Sequence, residues 1–296
     1  ISLANRLNGH WRAWLPTLGL AALLLAGMFG LPAALPLQTA GWVSFIVLLI
    51  VPGYFLTAAV TARLNLDGLE RAAIALPIGI ALLAVPGIYS LTLHKTKDVL
   101  LVGWQIMAGL SLVVFVFVRH VRPVGERFAG APWKANELLL AALLVGAFIY
   151  AYPTLATPTM DGDLFTFMAG VSDARMGKPF NLTEPLFGSG LGVFVRSYFN
   201  QFPVIWILWS ELAHQTPVDL TANVSRPILA LWTLLAAYTL GKAAGNGSRS
   251  FGLFVAAVQM LLYLAAPFLR ADSVAAFFFQ RTNADKYTIS VTMLPV

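Results

Sequence analysis

Residues 40 to 60 read AGWVSFIVLLIVPGYFLTAAV, twenty-one positions without one charged side chain. Wound as an α-helix at 1.5 Å per residue, a run of that length is about 30 Å long, the thickness of a bilayer's hydrocarbon core. Pro52 and Gly53 stand inside it, where a soluble helix would break. Membrane helices tolerate both, because neighbouring helices satisfy the backbone groups that are freed.

Working outward, the same character recurs. Trp14 to Leu37, Ala72 to Leu93, Val99 to Val118, Leu138 to Tyr152, Leu220 to Leu240 and Phe251 to Leu269 all read as spans, and Ile289 begins an eighth. Of the 296 residues, 58% are hydrophobic and 11% charged. A soluble domain carries roughly a quarter charged residues to cover its surface. The fold class expected is therefore all-α: a polytopic transmembrane helical protein of about seven to eight spans, with interfacial helices in its first large external loop. Residues 1–135 form an N-terminal four-helix membrane region. Residues 136–296 form a second membrane region with the external loop 153–221. The chain starts at Ile1 and stops inside an apolar run at Val296, so it reads as a portion of a longer protein, truncated at its C-terminus.

Positive charge in short loops orients such a chain. Arg119, Arg122, Arg127 and Lys134 make the densest cluster. Placing them in the cytoplasm puts the N-terminus, Arg63 and Arg71 there too, and sends loop 153–221 outside. Lys95 and Lys97 then break the rule. Phe199 to His214 is apolar but too short for a full crossing, and its Trp206, Trp209 and Glu211 suit an amphipathic helix in the outer interface. That placement leaves Lys242 and Arg249 inside and Arg270 to Lys286 outside. The expected location is the cell inner membrane of a bacterium, multi-pass.

Chemistry can gather in the external loop. Asp161 and Asp163 flank Gly162 directly after a membrane exit. In extended or turn backbone such i, i+2 carboxylates point one way and can share a proton or a cation. They can hold Mg²⁺ or Mn²⁺ near a phosphate, or one can act as general base toward a hydroxyl. Asp-Gly-Asp is equally a turn or helix-cap sequence. Downstream lie Glu184, Arg196 and Tyr198, and near the end Arg281, Asp285 and Lys286. Arg281 and Lys286 could bind an anionic phosphate or anchor at the interface; Asp285 could face the first pair or cap the last helix.

The order of these features resembles the GT-C superfamily of polytopic glycosyltransferases, which includes aminoarabinose transferases, protein O-mannosyltransferases and oligosaccharyltransferases. The residues that carry the likeness are Asp161-Gly-Asp163 after an outward helix, GKPFNLTEP from Gly177, Arg226-Pro, YTLGK ending at Lys242, APF at 266–268 and Arg281-x-x-x-Asp285-Lys286. It covers roughly residues 140 to 296; the first four spans would be an N-terminal extension. The resemblance implies a polyprenyl-phosphate sugar donor and an active site at the outer face. Asp161, Asp163 and Asp285 would be catalytic, with Asp161 and Asp163 as ligands if a divalent cation is used. Glu184, Arg196, Tyr198, Arg281 and Lys286 would bind substrate. A non-catalytic subunit of a larger membrane complex and a transporter are the alternatives.

Other chemistry is unsupported. There is no cysteine, so no disulfide, thiolate nucleophile or cysteine metal site. His10, His94, His120 and His214 are dispersed without metal-ligand spacing. No phosphate-binding or dinucleotide glycine motif is present, and no basic run suggests nucleic acid.

Overall fold

The computed structural model describes residues 3–61, 64, 66–121, 132–155, 171–180 and 202–265. Eight main helices fall within them: α1 (Leu3–Met28), α2 (Leu37–Val60), α3 (Gly68–Thr92), α4 (Lys97–Val121), α5 (Ala135–Leu155), α6 (Phe202–Ala213), α7 (Pro217–Ala244) and α8 (Arg249–Ala265). All regular structure among the described residues is helical. Five helices (α2, α3, α4, α5 and α7) are long and apolar enough to cross a membrane, which gives the chain the character of an integral membrane protein. The expected seven to eight spans are five among the described residues.

Two expectations need correcting. The first span, Trp14 to Leu37, is broken. Helix α1 stops at Met28, Gly30 takes φ +86°, and a 3-10 turn follows at Leu31–Ala34. The left-handed backbone suits glycine, and Pro32 and Pro36 cannot carry a helix onward. The second concerns Phe199 to His214. Its helix, α6, has only 12 residues, so it does not span, yet it does not lie half-wetted at an interface either. Val204, Trp206, Ile207, Leu208, Trp209, Ser210, Leu212 and Ala213 are all buried. Most of α6 is enclosed, with Pro203, Ile205 and Glu211 only partly buried, and the largest apolar cluster, from Leu24 through Phe45 and Trp104 to Trp232, includes it. That cluster runs across the boundary expected near residue 135.

Proline shapes two of the spans alike. Pro52 has no N–H, and its ring crowds the carbonyl of Leu48 one turn back. Helix α2 widens into a π turn at Ile46–Ile50, and the Leu48 carbonyl accepts the Trp104 indole N–H from α4 at 3.0 Å. Helix α7 repeats the device, with a π turn at Thr221–Ser225 just ahead of Pro227. Elsewhere backbones touch. A Cβ added to Gly53 would lie 1.9 Å from the Ala75 carbonyl oxygen, and one on Gly79 would lie 2.0 Å from that of Leu49. Small residues at such crossings let membrane helices associate by close packing.

Further tryptophan N–H groups tie helices together: Trp209 donates to the Gly41 carbonyl at 2.8 Å and Trp232 to that of Ala72 at 3.2 Å. The helix ends gather at two faces. One face joins the starts of α3, α5 and α8 to the end of α7, through Asp67, Glu137, Arg249 and Lys242. The other joins the start of α4 to the end of α6, through Lys97 and Glu211.

Candidate functional site

The residues expected to carry chemistry, Asp161, Asp163, Glu184, Arg196, Tyr198, Arg281, Asp285 and Lys286, lie outside the described residues. What is described is where the chain departs toward them. Helices α5 and α8 run parallel. At their starts Arg249 Nη1 and Ser250 Oγ donate to the Glu137 carboxylate at 3.3 and 3.2 Å. Toward their ends Ala151, Leu155, Met260 and Tyr263 share one apolar cluster. The chain thus leaves the described bundle at Leu155 and at Ala265 on the same face. From there Asp161 is 6 residues onward and Asp285 is 20.

Helix α7 runs antiparallel between them. Its Ala230 and Leu234 complete the same cluster, and the Thr233 and Tyr263 hydroxyls are hydrogen-bonded. Arg226 precedes Ala230 by one turn, on the same stripe of the helix, and is 1% exposed. Tyr152 of α5 accepts the Trp42 indole N–H at 3.1 Å near the face at which α5 and α8 open.

A carboxylate-centred cluster occupies that face beside α4. Glu211 Oε1 accepts from Lys97 Nζ at 2.9 Å and from Arg175 Nε at 3.1 Å. Burial acts to raise the Glu211 carboxyl, but the two cations outweigh it and hold it below the usual range. The segment 171–180 is pinned there further: the Phe180 N–H donates to the Lys95 carbonyl, and the Phe180 carbonyl meets His94 Nδ1 at 2.8 Å. Lys97 is one of the two cations that broke the charge rule, and Glu211 neutralises it.

The opposite face holds a larger ion-pair network, built on two helix caps. In α3 the Asp67 side chain caps the helix, and Glu70 reaches back to the Asp67 N–H at 2.7 Å. In α5 Glu137 likewise accepts the Lys134 N–H at 3.0 Å. Each N3 glutamate also takes a cation from another helix. Lys242 Nζ lies 2.6 Å from Glu70 and 2.9 Å from Asp67, and Arg249 pairs with Glu137 while stacking 4.7 Å over the Trp133 ring. Burial acts to raise the Asp67 carboxyl; the Tyr238 hydroxyl, the Glu70 N–H and Lys242 together hold it low.

No family model matches this chain, and no curated protein or solved structure does either.

Among the described residues no group of three His, Asp or Glu side chains could hold a metal ion, and the expected Mg²⁺ or Mn²⁺ ligands Asp161 and Asp163 lie outside them. Among the described residues a groove of about 470 Å³ is lined by Leu112, Val113, Val116, Phe117 and His120 on the outer surface of α4, apart from both clusters. Sequence reasoning missed the ion-pair network and the burial of Arg226. The first had a readable signal, Asp67-x-x-Glu70 ahead of an apolar run. The second had one too: Arg226 is the lone charge between Leu220 and Leu240.

Proposed function

We propose that this chain is a membrane glycosyltransferase of the GT-C kind. It transfers a sugar from a polyprenyl-phosphate donor at the outer face of a bacterial cytoplasmic membrane. The observation that supports the reading most is the parallel pairing of α5 and α8. Their ends share one apolar cluster, so the segments bearing Asp161-Gly-Asp163 and Arg281 to Lys286 start from a common face.

In this reaction Asp161 or Asp163 takes the proton from the acceptor hydroxyl. The acceptor oxygen bonds to the anomeric carbon as the bond from that carbon to the phosphate oxygen breaks. The electron pair leaves with the lipid phosphate, which Arg281 and Lys286 stabilise, and the configuration inverts. Glu184, Arg196 and Tyr198 contribute contacts to the substrates. A Mg²⁺ or Mn²⁺ ion on Asp161 and Asp163 would add charge neutralisation at the phosphate. In this reading the face with the Asp67 network is cytoplasmic.

The test is sugar transfer from radiolabelled polyprenyl-phosphate hexoses and pentoses by the purified full chain. Asp→Asn at the base should lower turnover by about 10²-fold or more at unchanged expression. Transfer that survives in the Asp161→Asn/Asp163→Asn double variant overturns the catalytic assignment.

A further inference from the structure

We infer that Glu211 is a positioning residue for the proposed transfer: it clasps the segment 171–180 to the bundle and so fixes one end of the stretch that carries Asp161 and Asp163. The inference rests on that transfer for its consequence, while the clasp stands on described residues alone. Residues 171–175 are helical, and Val171, Ala174 and Arg175, at i, i+3 and i+4, share one face of that turn. Val171 and Ala174 are buried in the main apolar cluster, and Arg175 on the same face meets Glu211 at 3.1 Å. Gly177 at φ +83° then turns the chain, and Phe180 is buried and bonded to Lys95 and His94.

Apolar burial is non-directional, so the seat of Val171, Ala174 and Phe180 favours docking without fixing where the segment lies on it. Direction comes from hydrogen bonds and the ion pair. Glu211 is placed to give it. It belongs to α6, whose Trp209 is held by Phe45 and Gly41 and packs on Trp206, so its carboxylate stands on a rigid element. Lys97 of α4 holds the same oxygen, Oε1, at 2.9 Å. The two cations therefore have different roles. Lys97 orients the carboxylate, and Arg175 is what the carboxylate holds.

The consequence follows from chain continuity. Leu155 is buried ahead of residues 156–170 and Val171 after them, and Asp163 stands midway between the two in sequence. Without Glu211 the next polar tie along the chain, among the described residues, is at Phe180. The aspartates would then be held on a longer tether, at a lower local concentration. Displacing a catalytic group by about 1 Å can lower a rate by about 10²-fold. The partners of Glu211 are Lys97 and Arg175, so its loss acts on turnover and not on donor affinity.

The experiment couples turnover to a distance, in the full chain in detergent. Spin labels at Met176→Cys and Val218→Cys, both exposed positions in a chain without cysteine, report the separation of the segment from α7 by double electron–electron resonance. Arg175→Met and Glu211→Gln are expected to broaden that distance distribution and to lower kcat about tenfold or more, with KM for the donor unchanged. Lys97→Met, which also takes a cation from Glu211, should leave both measurements near wild type. The Arg175→Met/Glu211→Gln double variant should fall no further than either single one, since a single contact is lost. Should Glu211→Gln fail to fold, the comparison of Arg175→Met with Lys97→Met carries the test. Wild-type kcat alongside a broadened distance overturns the inference, as does an equal loss of kcat in Lys97→Met. A narrow distance in every variant, with transfer lost in Asp161→Asn/Asp163→Asn, sinks this inference alone. A broadened distance with transfer that survives in that aspartate variant sinks the transferase reading and leaves the clasp.

Discussion

Lys242 bridges two carboxylates, Asp67 and Glu70, that are otherwise brought together only by a helix cap. Removing one partner of a buried ion pair leaves charge behind in a poor solvent, which costs more than the pair itself contributes. Lys242→Met should destabilise the fold by at least about 2 kcal/mol, seen as a lowered melting temperature in detergent. Adding Asp67→Asn and Glu70→Gln should recover part of the loss. Glu211 gives a pH test. Its carboxyl is held low in the folded chain, so its pairing stabilises fully above the pKa of the unfolded carboxyl and is lost as pH falls through the folded value. Protease nicking within 171–180 should therefore rise on acidification below the usual carboxylate range, and Glu211→Gln should be nicked similarly at neutral pH. Little of this was legible beforehand. Glu211 looked like the polar face of an interfacial helix, because nothing local announces that Lys97, 114 residues earlier, is its partner.

Elements were more legible than contacts, since length and apolar composition are local properties. Spans were recognised at α2, α3, α4, α5 and α7 within a few residues of their observed ends. The failure at α1 came from counting apolar residues while ignoring Pro32, Pro36 and the demand for φ +86° at Gly30. Which faces meet could not be read, because in lipid a helix need not display an apolar stripe to its partners. The α2–α3 crossing makes the point. Gly53→Ala and Gly79→Ala each place a methyl group about 2 Å from a carbonyl oxygen of the facing helix, so either should sharply reduce the monodisperse fraction on size exclusion. Gly109→Ala, which meets nothing within 4 Å, should leave it unchanged.

At the scale of the whole molecule, the two polar faces explain how a chain with scattered charges can be oriented. Loop 245–248 lies on the Asp67 face, as the interfacial reading of Phe199 to His214 required, although that helix turns out to be enclosed. The topology expected from the charge rule then makes a plain forecast for a chain without cysteine. Met176→Cys should react with an impermeant maleimide on intact cells, and Ser248→Cys only after permeabilisation; the opposite pattern inverts the orientation. The expected site residues lie outside the described ones, and the sequence offered them as a list and not as a place. Asp161 and Asp285 are 124 positions apart, and the helices that precede them meet through Ala151, Leu155, Met260 and Tyr263, apolar side chains that look alike in any span.

The enclosure of α6 also says something about time. Its 12 residues are too few for the bilayer to retain on their own, and its stacked Trp206–Trp209 pair has nowhere to rest until Phe45 and Gly41 are in position. A ribosome delivers α2 through α5 first. By chain order the α2 residues that seat α6, Phe45 and Gly41, are therefore made before it. The shortest helix is thus a keystone of the bundle: it waits on helices made before it, and α7, made after it, closes the same cluster through Trp232.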